Sequence, residues 1–228
     1  MRASLSIIVP ALNEADQIVA VLARLTPLRQ AGVQVILADG GSADQTVALS
    51  LPLVDLVVQA PRGRALQMNA GAARANADAL LFLHADTVLP EQADQLIAAA
   101  LRDRVWGRFD ITLDGTHRML PVIAAMMNWR SRLSGIATGD QALFVRRDVF
   151  EQLAGYAPIA LMEDLDLSRR LKKISSPACL HERVISSGRR WEKHGVWRTI
   201  VLMWRLRLAY FCGADPRALA IAYGYLPR

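Results

Sequence analysis

The chain has 228 residues, 53% of them hydrophobic and 21% charged, enough length and apolar content for one domain with a full core, and not the composition of a disordered polypeptide. Lys and Arg number 27 against 21 acidic residues, a formal charge of +6; such a balance suits nucleic acid, anionic lipid or phosphorylated small molecules and does not by itself choose among them. The two cysteines, Cys179 and Cys212, have no CxxC or Cys/His spacing, which argues against a disulfide framework or a zinc site and makes a reducing cytoplasm the expected compartment.

Met1 to Ser4 lead into the apolar run Leu5 to Val9, closed by Pro10. The run is shorter than the roughly 7–15 residues of a signal-peptide core, so no cleaved leader is expected. Short, β-branched-rich and ended by proline, it predicts a buried strand. Ile18, Val21, Leu22 and Leu25 then form a helical stripe within Glu14 to Leu28. Further strands are predicted at Val33 to Leu37, Leu56 to Val58 and Ala79 to Leu83, with a helix from Arg64 to Ala75 between the last two. This alternation predicts an α/β fold with a largely parallel sheet. In the second half, strands are predicted at Trp106 to Leu113 and Ala142 to Val145, and a helix at Glu163 to Lys173. Two segments, Met119 to Trp129 and Val196 to Phe211, are unusually apolar, yet both fall short of the roughly 20 residues that span a bilayer. The second, rich in Trp and carrying Arg198, Arg205 and Arg207, has three readings: a helix on the protein's own core, one lying in a membrane interface, or a homodimer contact. No repeat, low-complexity tract or linker marks a domain boundary.

Polar residues gather where the predicted strands end, the place at which open α/β sheets bind ligands. After the first strand comes Pro10-Ala11-Leu12-Asn13-Glu14, in which Asn13 is also a good helix cap. After the second comes Asp39-Gly40-Gly41-Ser42-Ala43-Asp44-Gln45-Thr46, where glycines permit close backbone approach and Asp39 is a candidate acceptor for nucleobase or ribose donors. Arg62-Gly63-Arg64 places two guanidinium groups before a helix, suited to a diphosphate. His84-Ala85-Asp86 ends the fourth strand with a carboxylate for a hard divalent cation. Glu163-Asp164-Leu165-Asp166 puts three carboxylates at a helix start, where they serve either the helix dipole or general-base chemistry.

In this order the motifs resemble those of the family 2 glycosyltransferases with their GT-A fold. Pro10, Asn13 and Glu14 match the family's opening Pro-x-x-Asn-Glu, and Ser42, Asp44 and Thr46 continue its Asp-Gly-Ser-x-Asp-x-Thr pattern from Asp39. Asp86 falls on the last aspartate of the family's Asp-x-Asp, Glu163-Asp164 on its Glu-Asp pair, and Arg190-Trp191 on an Arg-Trp found after that pair in processive relatives. The resemblance runs from Leu5 to Trp191. Gly40 stands where the family has a second aspartate, and His84 replaces the first aspartate of Asp-x-Asp. The Gly-Arg-Ala-Leu-Gln-Met-Asn and Leu-His-Ala-Asp-Thr runs look like a bacterial subgroup associated with arsenosugar and selenium genes.

The resemblance implies a Rossmann-like, mostly parallel sheet flanked by helices, with C-terminal helices, in a single domain, 1–228. Within it, 1–115 is the nucleotide-binding half, 116–195 the acceptor and catalytic half, and 196–228 the apolar C-terminal part. It implies sugar transfer with inversion from a nucleotide-diphosphate sugar, with uridine as the expected nucleoside, to a small-molecule or lipid-linked acceptor. Asp164 is the implied general base beside Glu163, and Asp86 the implied ligand to Mn2+ or Mg2+, with His194 as a candidate further ligand. Pro10, Asn13, Glu14, Asp39, Arg64 and Ala85 are the expected nucleotide contacts; Gly139, Asp140, Gln141, Arg190 and Trp191 the expected substrate contacts. The expected location is cytoplasmic or peripheral on the inner membrane face. A sugar nucleotidyltransferase would want a glycine-rich loop after the first strand, and Pro10 to Glu14 has none. A dehydrogenase lacks its GxGxxG, and the basic residues form no nucleic-acid recognition motif. A non-catalytic scaffold that kept the fold is the remaining alternative, raised by Gly40 and His84.

Overall fold

Apolar runs buried on both faces form the centre of the structure, a computed structural model describing residues 4–225. Met1 to Ala3 of the leader reading and Leu226 to Arg228 of the C-terminal part lie outside the described residues. Strand β1 (Leu5–Ala11) shows why the fold closes over both faces of its sheet. Leu5, Ile7, Val9 and Ala11 enter one hydrophobic cluster and Ile8 enters another, as side chains alternating across a strand must.

The helix expected over Glu14 to Leu28 is two helices, α1 (Ala15–Ala23) and α2 (Thr26–Gln30). Pro27 is the reason: it has no N–H to give, and its ring conflicts with the carbonyl four residues earlier, so a helix restarts around it. Then follow β2 (Gln34–Asp39), α3 (Thr46–Ser50), β3 (Leu56–Gln59), α4 (Arg64–Ala72) and β4 (Ala79–Phe82). The order continues with β5 (Thr87–Val88), α5 (Ala93–Asp103), β6 (Trp106–Asp114), α6 (Leu120–Ser134), β7 (Phe144–Arg146) and α7 (Arg147–Gln152). Helix α8 (Glu163–Lys172), strand β8 (Ala178–Ser187), and helices α9 (Arg189–His194), α10 (Val196–Phe211) and α11 (Pro216–Tyr223) complete the described residues.

Among the described residues the strands form one eight-stranded sheet in the order β3-β2-β1-β4-β7-β6-β8-β5. The first four in that order are parallel, β7 runs antiparallel to β4 and β6, and β6 pairs with β8 in parallel. The architecture is the α/β class expected, with helices on both faces of a mostly parallel sheet. A third cluster, built from Met162 and Leu165 with Leu206 of α10 and Leu219 of α11, fastens the C-terminal helices beside the start of α8. No helix among the described residues is long and apolar enough to cross a membrane.

Candidate active site

Two loops at the carboxyl ends of β1 and β2 are knitted together by the side chains singled out in sequence. Asn13 holds a left-handed backbone, φ 54°, which asparagine tolerates better than most residues. Its N–H donates to Ser42 Oγ at 2.9 Å, and its Oδ1 accepts the Ala43 N–H at 2.8 Å. The Glu14 N–H donates to Thr46 Oγ1 at 2.8 Å, while Asp44 accepts from the N–H groups of Ala15 and Thr46. Asp39 is 1% exposed and accepts from the N–H groups of Gly41 and Ser42 and from the Ser42 hydroxyl. The structure turns Asp39 into its own loop, so this carboxylate holds the loop's shape and is not among the residues lining the cleft.

That cleft, of about 640 Å³, opens where β1 and β4 end. Of the residues singled out above, Pro10, Glu14, Arg64, Ala85, Asp86, Asp140, Arg190, Trp191 and His194 line it together. Asn13 and Asp39 stay behind in the loops just described. Gln141 is fully buried, its Oε1 accepting the Thr138 N–H at 3.2 Å. Asp164, half-buried at the start of α8, accepts from the Gly139 N–H at 2.8 Å and the Leu165 N–H at 2.8 Å. Glu163 is buried and faces Arg64 at 3.7 Å. The carboxylate pair thus reaches the cleft through two of its lining residues, Arg64 and the Asp140 that follows Gly139.

The charges are arranged so that their environments differ. Burial pushes Glu163 and Asp164 above the ordinary carboxylate range; Arg64 pulls on both, and the Gly139 N–H on Asp164, without undoing it. Burial works against the charge on Asp140 too, but His84, 3.1 Å away, together with Arg64 and Arg130, leaves that carboxyl below its usual value. Burial raises Glu14, and the nearby Asp86 charge raises it further. Arg62, Arg189 and Lys193 add cationic groups to the lining, which makes the cleft suited to phosphates.

Among the described residues, no three His, Cys, Asp or Glu side chains gather closely enough to hold a metal by themselves. What the cleft offers is Asp86 with Glu14 beside it, oxygen donors of the kind that bind Mg2+ or Mn2+ when ligand phosphates complete the shell.

Several cleft residues carry no sequence signal. Ser186 and Ser187 arrive on β8, Thr199 and Met203 on α10, and Tyr223 and Tyr225 at the end of α11. Arg190 stacks on the Tyr223 ring at 3.5 Å and donates to the Tyr223 carbonyl at 2.8 Å, so the end of α11 is tied to α9 in the cleft lining.

The profile of Glycosyl transferase family 2 matches residues 6–156, about two thirds of the sequence. The chain belongs to glycosyl transferase family 2. The match runs from β1 to just beyond α7 and stops short of α8. Among solved structures, S. aureus TarS 1–349 in complex with UDP-GlcNAc has TM-score 0.65 at 16% identity, over 81% of this chain and 58% of that one. The mannosyltransferase PcManGT from Pyrobaculum calidifontis, in complex with GDP-Man and Mn2+, has TM-score 0.65 at 18% identity, over 99% of this chain and 70% of that one. Glucosyl-3-phosphoglycerate synthase from Mycobacterium tuberculosis, in complex with Mn2+, UDP and glucosyl-3-phosphoglycerate, has TM-score 0.60 at 18% identity, over 99% and 81%. These likenesses establish a GT-A fold. The chain spans less than two thirds of the TarS 1–349 structures, 58% to 60% of their length. No curated protein matches the sequence.

Both departures from the family pattern have a local partner. A side chain at Gly40 would begin 2.9 Å from the Gln67 amide, which donates to the carbonyls of Ala11 and Ala38 at 2.7 and 3.0 Å. Gln67 therefore occupies the space an aspartate would need, and bridges β1 to β2 from α4. Gly40→Asp is expected to lower stability by about 1–3 kcal/mol through this overpacking, read as a shifted urea midpoint; an unchanged midpoint would show that Gln67 moves aside freely. At the second departure, a Cβ on Gly139 would collide with Nε2 of His84. His84 and the bare backbone of Gly139 thus fit one another, and the imidazole hands its other nitrogen to Asp140.

Proposed function

We propose that this chain is an inverting glycosyltransferase, moving a sugar from a nucleotide-diphosphate donor, a UDP-sugar, to an acceptor hydroxyl. One observation carries the reading: a single cleft gathers Asp86, Glu14 and Asp140 with Arg62 and Arg64, and the Glu163–Asp164 pair is bonded to that same cleft wall. Carboxylates alone would serve a cation and guanidinium groups alone a phosphate; a metal-bound diphosphate calls for both. The TarS, PcManGT and synthase structures, which hold nucleotide or nucleotide sugar, support the donor class. The glycine- and histidine-bearing runs at Gly63 and His84 support placement in the arsenosugar-associated subgroup.

In this reading residues 1–115 hold the nucleotide and 116–195 the acceptor. The acceptor oxygen attacks the anomeric carbon as the bond to the diphosphate oxygen breaks, and Asp164 takes the hydroxyl proton. Asp86, with Glu14 beside it and His194 on the lining, would hold Mn2+ or Mg2+, whose chemistry there is to neutralise charge on the diphosphate. Arg64, its guanidinium 3.7 Å from Glu163, stabilises the same developing charge.

Incubation with UDP-sugars, Mn2+ and a panel of hydroxyl acceptors should release nucleoside diphosphate and no pyrophosphate. Asp86→Ala should lower the metal-stimulated rate about 100-fold. Pyrophosphate release would point instead to nucleotidyl transfer, and a rate indifferent to Asp86→Ala would remove that carboxylate from the reaction.

A further inference from the structure

Helix α10 turns an apolar face away from the protein. Trp197, Val201, Trp204 and Leu208 follow the i, i+4, i+7, i+11 spacing of one helical stripe, within a wedge of about 60° at 3.6 residues per turn. Each is more than half exposed, from 56% at Val201 to 68% at Trp197. Of the residues that seat the helix, all buried, Thr199 and Leu206 fall on the opposite side of the same wheel and Val196 on its flank, about 110° from the middle of the stripe. Folding therefore does not explain two outward tryptophans.

Cations border the stripe. Arg198 and Arg205 lie about 80–100° to one side and Arg207 about 80° to the other, and the helix contains no acidic residue. Trp and Leu on one face, bordered by arginines whose stems can reach upward, is the distribution of a helix lying at headgroup level.

A second helix repeats the pattern. Val122, Met126, Trp129 and Leu133 of α6 have the same spacing and are 46% to 68% exposed. The inner faces of the two helices meet one hydrophobic cluster, through Ile123 and Ala124 of α6 and Val196 and Ile200 of α10. Single exposed hydrophobics are ordinary; eight on two stripes are not. A self-complementary contact between two copies would bring the arginine borders of α10 against each other, whereas anionic headgroups complement them.

We propose that the exposed faces of α6 and α10 dock this protein on an anionic lipid bilayer, as an interfacial attachment and not a span. The inference does not depend on the catalytic reading. Since α10 also lends Thr199 and Met203 to the cleft, docking sets one wall of the site against the lipid surface.

Vesicle co-sedimentation tests it with the whole protein. Binding to vesicles of phosphatidylglycerol mixed with phosphatidylcholine should exceed that to phosphatidylcholine alone by about tenfold or more, weaken in high salt and shift tryptophan emission to the blue. Trp197→Glu/Trp204→Glu should cut binding about tenfold or more while the melting temperature stays near wild type. Should that variant fail to fold, Arg198→Glu/Arg205→Glu tests the same surface through loss of the anionic preference. The proposal is overturned if the protein stays in the supernatant with anionic vesicles, or if the folded variants sediment as the wild type does. It is equally overturned if light scattering shows a dimer that Trp197→Glu/Trp204→Glu splits and the wild type binds no vesicles.

Discussion

Asp164→Asn is expected to lower kcat about 10²–10⁴-fold while the donor dissociation constant changes by less than about threefold, within about 0.6 kcal/mol. The asymmetry follows from where the carboxylate sits. Asp164 is not among the residues lining the cleft; it hangs on the Gly139 and Leu165 N–H groups at the head of α8. Asparagine keeps the volume and one acceptor oxygen, so the turn carrying Asp140 keeps its place, while the basic oxygen proposed to take the proton is gone. Single-turnover rates and thermal shift with donor would separate the two effects. Normal turnover by the variant would end the assignment of Asp164 as base. A loss confined to donor binding would make it a positioning residue for the Gly139–Asp140 turn.

The same burial sets the pH dependence. A base works deprotonated, and desolvation raises the Asp164 carboxyl, so the acid limb of kcat should lie above the range of an ordinary aspartate. Glu163 is raised as well and lies next in sequence, so the limb belongs to the pair rather than to one residue. Arg64→Ala removes a cation that lowers both and should move that limb to higher pH. A limb that stays put would show that Arg64 does not tune the pair.

How much of this was legible in the sequence depends on whether a residue's role is local. β1 and β2 are buried on both faces, so their unbroken apolar runs announced them, and the polar residues at their ends followed from topology. The helix break at Pro27 was also written locally, and the longer apolar pattern through Leu28 masked it. β8 gave no signal because His181, Glu182 and Arg183 are exposed in its middle, which destroys the alternation a half-buried strand should show. Tyr223 and Tyr225 come to the cleft only because α11 packs on α10 and α8, a placement no nearby residue encodes. Asp39 shows the converse: its motif was plain, but whether its oxygens face a ligand or its own loop depends on the turn through Gly41 and Ser42. Gly40 and His84 read as losses against the family pattern until Gln67 and Gly139, 27 and 55 residues away in sequence, were seen to fill or clear the space.

The largest stability effect is expected at Asp110, a residue with no part in the cleft. Arg108 is fully buried on β6 and pairs with Asp110, while its remaining guanidinium contact is the Asn128 carbonyl at 3.3 Å. Arg132 of α6 donates to the other Asp110 oxygen at 2.7 Å and to the Cys179 carbonyl at 3.1 Å. Asn128 brackets Ile111 from the same helix, accepting its N–H at 2.9 Å and donating to its carbonyl at 3.0 Å. These bonds clamp α6 onto β6 and β8 beside the register shift at Phe109 and Asp110. Asp110→Ala leaves a guanidinium buried without a counter-charge, which costs about 3–5 kcal/mol out of a typical 5–15. At about 2–4 °C per kcal/mol for a chain of this size, the melting temperature should fall by roughly 6–20 °C. Replacing the pair together, Arg108→Met/Asp110→Leu, should recover the part of the loss owed to the fully buried Arg108, while Arg132, partly exposed and still bonded to the Cys179 carbonyl, accounts for a small remainder. A single variant within about 1 kcal/mol of wild type in urea denaturation would mean that water or another acceptor reaches Arg108, and that α6 is held by its apolar face alone.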